Sequence, residues 1–146
     1  MNKKFKLIVA GGRDFKNFSS AGEILRSVLS KRTPNEVCIV SGGARGADSF
    51  GEMFAKSTGC DLEVFPADWS TYGKRAGMIR NEEMIKFADA TILFWDGESR
   101  GTANMMSLTL DYNKPLFVVY YDKNTQQIIE CRDESNPFWQ KIKNMI

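Results

Sequence analysis

The sequence predicts a three-layer α/β domain in which helices cover both faces of a central parallel sheet. Short apolar runs rich in β-branched residues alternate along the chain with segments of helical periodicity. Three of these runs end in a glycine-containing loop that opens a helical segment. The 146 residues suffice for one hydrophobic core, and neither a linker nor an internal repeat divides them. We therefore expect a single domain over residues 1–146.

The apolar runs predict five buried strands, and the periodic segments predict the helices between them. Strands are expected at residues 4–10, 36–41, 62–66, 90–95 and 116–121. Helices are expected at about 20–29, 47–58, 75–88 and 101–111. Right-handed crossovers favour the strand order 3-2-1-4-5. The tail predicts a C-terminal extension, with a hairpin carrying a weak edge strand at 126–131 and a helix that begins at Asn136 and Pro137.

Composition excludes several classes of chemistry. The net charge is only +2 and the chain contains no histidine, the commonest general base and metal ligand. Its cysteines, Cys38, Cys60 and Cys131, lack the CxxC spacing of a zinc site. We therefore expect no metal and no cofactor. Because no apolar run approaches the ~20 residues that cross a bilayer, we expect no membrane partner and a cytoplasmic protein with reduced thiols.

The glycine-containing loops predict a binding site for a phosphate-bearing ligand. Glycine lets the backbone approach a ligand closely, and a helix N-terminus presents free N–H groups. Each loop also carries one arginine, a planar fork suited to phosphate. The candidate contacts in these loops are Gly11, Gly12, Arg13 and Asp14, then Ser41, Gly42, Gly43, Ala44, Arg45 and Asp48, and finally Asp96, Ser99, Arg100, Gly101 and Thr102. A tight strand-to-helix turn without a ligand is the simpler alternative.

Other residues are candidates for contacting the ribose or the base of the ligand rather than its phosphates. Asp14, Asp48 and, more weakly, Asp96 are candidates for holding ribose hydroxyls, although an acid at position 48 also suits a helix N-terminus. The long connection after the third strand carries Trp69 and Tyr72. A ring there can stack on a nucleobase, or Trp69 can simply plug the end of the sheet.

These motifs together resemble the SLOG superfamily, which includes the LOG-type nucleotide phosphoribohydrolases and the DNA-processing protein DprA. The sequence GGRDF stands at residues 11–15, SGGARGAD at 41–48, PADW at 66–69, YGK at 72–74 and DGESRGT at 96–102. This set is similar to a small SLOG branch found in bacteria and phages, and the resemblance spans residues 5–121. It implies a Rossmann-like fold and a nucleotide-derived ligand, with Arg80 of the segment RNEEM at residues 80–84 as one contact.

The sequence departs from the LOG pattern at the positions that carry catalysis. The position of the LOG catalytic glutamate is Met105, which can act neither as acid nor as base. Asn81 replaces the lysine after the motif arginine, and Ser99 and Arg100 replace a glycine pair. LOG-type hydrolysis is therefore not expected, and whether the chain is an enzyme stays open.

The sequence thus favours binding of an ADP-ribose-like or NAD-related ligand by a sensor or sequestering protein. We predict that Arg45, Arg80 and Arg100 converge on one anion of that ligand. A nucleotide N-glycosidase or phosphoribohydrolase-like hydrolase using Asp48, Asp14 or Glu82 is one alternative. DprA-like binding of single-stranded DNA is another, but the near-neutral charge disfavours nucleic acid as a partner. The apolar face of the C-terminal helix, together with the dimers common among LOG proteins, favours a homodimer.

Overall fold

The computed structural model describes residues 3–134 as a six-stranded sheet covered by helices on both faces. The strands are β1 (Phe5–Gly11), β2 (Val37–Ser41), β3 (Asp61–Val64), β4 (Ala90–Trp95), β5 (Leu116–Tyr121) and β6 (Ile128–Asp133). The helices are α1 (Phe18–Val28), α2 (Ala47–Thr58), α3 (Trp69–Tyr72), α4 (Ala76–Phe87) and α5 (Arg100–Asp111). Short 3-10 turns occupy Pro34–Glu36 and Gly73–Arg75.

The strands lie in the order β3-β2-β1-β4-β5-β6, which confirms the predicted Rossmann-like arrangement 3-2-1-4-5. The first five strands are parallel, and β6 is antiparallel to β5. Strand order reverses at β1, between β2 and β4. The carboxyl ends of these three central strands therefore meet at the switch point, where ligands bind in such sheets.

Alternate residues of the buried strands pack against different helices. Leu7 and Val9 of β1 join the cluster that contains α1 and α2, whereas Ile8 between them joins the cluster of α4 and α5. Such strands are buried on both faces and are apolar throughout rather than alternating. The sheet is consequently a rigid platform for the loops at its carboxyl edge.

The main differences from the sequence-based boundaries concern four elements. Strand β3 ends at Val64, two residues before its predicted end. Helix α1 begins earlier, because the Asn17 side chain accepts a hydrogen bond from the Ser20 N–H and caps the helix. The predicted third helix is preceded by a separate turn, α3, which the Asp68 side chain caps. The edge strand lies at Ile128–Asp133, two residues beyond its predicted position. The predicted C-terminal helix lies outside the described residues.

Candidate functional site

Three loops lie at the carboxyl edge of the sheet, β1–α1 (residues 12–17), β2–α2 (42–46) and β4–α5 (96–99). Backbone hydrogen bonds join the first of them to β4 and to the start of α2. The Gly12 N–H donates to the Phe94 carbonyl at 3.0 Å, and the Ala47 N–H donates to the Gly12 carbonyl at 3.2 Å. Gly46 has a φ of +72°, and a Cβ there would lie 2.2 Å from the Gly12 carbonyl oxygen. Only glycine fits this crossing, so the glycine-rich sequence is required for loop packing whether or not a ligand binds.

Phe15 anchors the β1–α1 loop in the core. Its side chain is 1% exposed, and its ring stacks on that of Phe94 with centroids 4.8 Å apart. It also meets the Tyr121 ring edge-on at 4.8 Å. The last residue of GGRDF therefore fixes the loop, while Arg13 and Asp14 before it stay exposed.

A cavity of about 460 Å³ opens between the three loops, and we call it the main cavity. This volume lies in the range of small-molecule sites. The candidate residues in its wall are Gly11, Gly12, Arg13, Asp14, Ala44, Asp48, Arg80, Asp96, Ser99, Gly101 and Thr102. Met105, at the position of the LOG acid, also lines it and is buried.

A second cavity of about 310 Å³, which we call the side cavity, lies next to the main cavity. Both cavities are lined by Arg13, Ala44 and Arg80. The remaining walls of the side cavity are formed by Gly42, Gly43, Arg45, Pro66, Ala67 and Trp69. Trp69 is 52% exposed, so about half of its surface remains accessible. The shared wall makes the two cavities suitable for one elongated ligand.

Asp48 and Arg80 approach Gly42 from two different helices. The Asp48 carboxylate accepts a hydrogen bond from the Ala44 N–H at 3.3 Å and is 5% exposed. Burial raises the pKa of Asp48 to about 6, against the opposing effects of that hydrogen bond and of the Arg80 charge. Arg80 donates to the Gly42 carbonyl, and its Nε donates to the Asn81 side chain at 3.0 Å. Asn81 therefore orients Arg80.

Asp96 and Ser99 build the N-terminus of α5. Asp96 accepts hydrogen bonds from the Glu98 and Ser99 N–H groups at 2.9 and 3.0 Å. Burial raises the pKa of Asp96, but these bonds outweigh it and leave the pKa below its ordinary value. The Ser99 hydroxyl caps α5 by accepting from the Thr102 N–H. Asp96 is thus engaged by its own turn, which weakens its case as a ribose contact.

Two predicted contacts lie away from both cavities. Ser41 is fully buried, and its hydroxyl donates to Glu52 at 2.8 Å and accepts from the Gly43 N–H at 3.1 Å. Ser41 therefore stabilises the β2–α2 loop from the protein interior. Arg100 is exposed on the first turn of α5 and lines neither cavity. The structure thus brings Arg45 and Arg80 together but leaves Arg100 outside, because α5 starts at that residue and turns it outward.

Other residues of the main cavity were missed by sequence reasoning. Its wall also contains Tyr121, the last residue of β5, and Lys123, two residues further along the chain. The Tyr121 hydroxyl is buried and has no hydrogen-bond partner within residues 3–134. Burial, with the nearby Asp96 and Asp14 carboxylates, raises its pKa to about 12, so it remains a potential donor. The carboxyl-end rule for strands was the available signal, since β5 was predicted correctly. Glu82, by contrast, lies outside both cavities and pairs with Lys86 at 3.5 Å.

The fold and its loop-lined cavities define a Rossmann-like domain with a candidate ligand site at its switch point. The profile of the YspA, cpYpsA-related SLOG family matches residues 5–72. The gene 61 protein of Mycobacterium phage D29 is 35% identical over 107 residues, covering 69% of this chain and 85% of that protein. The chain therefore belongs to the YspA, cpYpsA-related SLOG family, which confirms the resemblance read from the motifs.

Solved structures of DNA processing protein A (DprA) share the fold. The Helicobacter pylori protein, described by its single-stranded DNA binding mode, matches 97% of this chain at 22% identity, with a TM-score of 0.64 and 74% of that chain covered. The Streptococcus pneumoniae protein matches 80% at 16% identity, with a TM-score of 0.61. This chain spans only 50% of that second protein.

The DprA similarity corrects one prediction. The near-neutral charge led us to disfavour nucleic acid as a partner, and that exclusion was wrong, because the fold is shared with a protein described as binding single-stranded DNA. Net charge averages over the whole surface and does not report the local cluster of Arg13, Arg45 and Arg80.

Within residues 3–134, no helix is both long enough and apolar enough to cross a membrane.

Proposed function

We propose that this chain binds a nucleotide-derived ligand of the ADP-ribose or NAD type in the main and side cavities, as a sensor or sequestering protein. The observation that carries the proposal is the wall that the two cavities share. Arg80 and Ala44 of the β2–α2 loop line both the main cavity and the side cavity. Binding without LOG-type hydrolysis is proposed, because the buried Met105 stands where the resemblance places the catalytic acid.

The two cavities would bind different parts of such a ligand. The main cavity offers the N-terminus of α5 and the glycine backbone for phosphate, and Asp48 for a ribose hydroxyl. The side cavity offers Trp69 for a ring and Arg45 beside it. Arg80 stands between them, and its guanidinium can donate to a group bridging both pockets.

A side chain added at Gly101 should block the ligand and leave the fold intact. A Cβ at Gly101 would have no atom within 4 Å, although this residue lines the main cavity. We expect Gly101→Val to keep the thermal stability of the free protein and to lose the stabilisation by ligand. In the unsubstituted protein, ADP-ribose at ~100 times its dissociation constant should add roughly 2.7 kcal/mol, read as a rise in melting temperature.

The matched control is Ser107→Val, which places the same β-branched side chain on the exposed face of α5. It should respond to ligand like the unsubstituted protein. AMP, NAD and cyclic ADP-ribose isomers complete the panel. If Gly101→Val were stabilised by ADP-ribose as strongly as Ser107→Val, the ligand would lie elsewhere and the assignment of the main cavity would be wrong.

Single-stranded DNA is a second candidate ligand, favoured by the shared fold with DprA and by the exposed Trp69 ring beside three arginines. Stacking of one base on an aromatic side chain is worth about 1–3 kcal/mol. Trp69→Ala should therefore weaken binding of fluorescent oligothymidylate roughly 5- to 150-fold in an anisotropy titration, and affinity should fall steeply with salt.

Met78→Ala is the control for that titration, because Met78 is 60% exposed on α4 and lines neither cavity. It should leave oligonucleotide affinity unchanged. Equal oligonucleotide affinity in the Trp69→Ala and unsubstituted proteins would show that no base stacks on Trp69. Displacement of the oligonucleotide by ADP-ribose would indicate that both ligands bind at one site.

A further inference from the structure

The turn between β5 and β6 (residues 122–127), which we call the hairpin turn, is fastened to the β1–α1 loop. The Gln126 side chain accepts a hydrogen bond from the Lys16 N–H at 2.7 Å and donates to the Asp14 carbonyl at 3.2 Å. The Gln126 carbonyl accepts from the Asn17 side chain at 2.8 Å. These contacts join segments that lie more than 100 residues apart in the sequence, and Gln126 thus holds the hairpin turn against the β1–α1 loop.

The backbone of the hairpin turn is held in an unusual conformation. Gln126 has a φ of +66°, a region that residues other than glycine seldom adopt. The Asp122 side chain accepts from the Asn124 and Thr125 N–H groups at 2.8 Å each, and the Gln126 N–H donates to the Asp122 carbonyl at 2.8 Å. Such a conformation persists only where the surroundings fix it, and such positions cluster at ligand sites.

The hairpin turn and the loop it holds each present one cation to the main cavity. Lys123 and Arg13 both line it, and neither forms an ion pair within 4.0 Å with an acid of residues 3–134. The Tyr121 hydroxyl, buried without a partner in that part of the chain, lies beside Gly12 in the same wall. The Asp96 carboxylate interacts electrostatically with Lys123, and its own turn also donates two hydrogen bonds to it.

We propose that Lys123 and Arg13 form a second anion subsite in the main cavity, that Gln126 is the positioning residue that brings them together, and that the ligand therefore carries a diphosphate rather than a single phosphate. This inference rests on the proposed nucleotide-binding function and assigns residues to the second phosphate of its ligand. The first phosphate lies at the N-terminus of α5, and the second lies between the hairpin turn and the β1–α1 loop. Lysine and arginine both donate charge-assisted hydrogen bonds to phosphate.

Isothermal titration with ADP-ribose and AMP tests the subsite. The unsubstituted protein should bind ADP-ribose more tightly than AMP, because only the diphosphate reaches Lys123. Lys123→Met should lower ADP-ribose affinity about 10-fold or more and leave AMP affinity within about twofold, since one charge-assisted bond is lost. Lys123→Arg should retain most of the preference. Lys31→Met removes the same charge at an exposed position after α1 and should change neither affinity.

Gln126→Gly tests the positioning role, because glycine accepts the positive φ while the side-chain hydrogen bonds are lost. Hydrogen exchange should accelerate at the Lys16 amide, which has lost its acceptor, and ADP-ribose affinity should fall while AMP affinity is kept. Gln127→Gly is the control, since it makes an equal truncation beside Gln126. A merely structural Gln126 would lower stability and leave the ratio of the two affinities unchanged.

The outcomes separate the two proposals. Binding of both ligands with an unchanged preference in Lys123→Met would overturn the second anion subsite and leave the proposed function standing. Equal loss of AMP and ADP-ribose affinity in that variant would also overturn it, because the lysine would then contact a group that both ligands share. Failure of the unsubstituted protein to bind either ligand would overturn the proposed function and this inference with it.

Discussion

Gly46→Ala should lower the free energy of unfolding by about 2–5 kcal/mol. This loss should exceed that caused by an alanine at a positive-φ glycine with open space around it. A Cβ at Gly46 would lie 2.2 Å from the Gly12 carbonyl oxygen and 2.6 Å from that of Arg13. The backbone atoms cannot rotate away as a flexible side chain would, so the β1–α1 and β2–α2 loops must separate. Backbone strain and overpacking each cost about 1–3 kcal/mol.

Gly59→Ala is the matched control for this substitution. Gly59 also has a positive φ, at +87°, but a Cβ there would meet no atom within 4 Å. The control should therefore show only the conformational cost, about 1 kcal/mol. Urea denaturation followed by circular dichroism measures both values. Equal losses in the two variants would mean that the loops tolerate displacement, and that the close crossing at Gly12 does not stabilise the fold.

The architecture was predictable because its signals are local. The apolar runs from Phe5 onward, and the glycine loops at their ends, each reveal a strand or helix boundary within a few residues. The rule that parallel strands present ligands at their carboxyl ends then placed most loop candidates near one edge. The structure brings Asp48 and Arg80 beside the same glycine, Gly42, although they lie on different helices.

The remaining features of the site depend on long-range packing that the sequence does not encode locally. The contacts of Gln126 with Lys16 and Asn17 span more than 100 residues, and the polar segment around it has the composition of an ordinary surface turn. Arg100 lies outside both cavities for a geometric reason. A loop motif specifies backbone shape, but the direction of each side chain depends on where the following helix begins, and Arg100 is the first residue of α5.

Asp48→Asn should make the protein more stable at neutral pH and remove a component of its pH dependence. The pKa of Asp48 is raised from its ordinary value of 3.8 to about 6, chiefly by burial, with Arg80 opposing and Glu52 reinforcing the shift. Between pH 4 and 6 the folded protein thus keeps a proton that the unfolded chain releases. Stability falls as pH rises through this window, by at most about 3 kcal/mol at 1.36 kcal/mol per pH unit.

Urea denaturation of both proteins from pH 4 to pH 8 measures this effect as a difference between them. The asparagine amide still offers an oxygen to the Ala44 N–H, so the loop contact survives while the buried charge is removed. The variant should match the unsubstituted protein near pH 4 and exceed it by about 1–3 kcal/mol above pH 7. Asp111→Asn, which removes an exposed carboxylate at the end of α5, should shift stability by only a few tenths of a kcal/mol. A parallel pair of curves across the whole range would show that folding does not raise the pKa of Asp48. The Ala44 hydrogen bond and the Arg80 charge would then balance the effect of burial, and ionisation of Asp48 would not destabilise the fold.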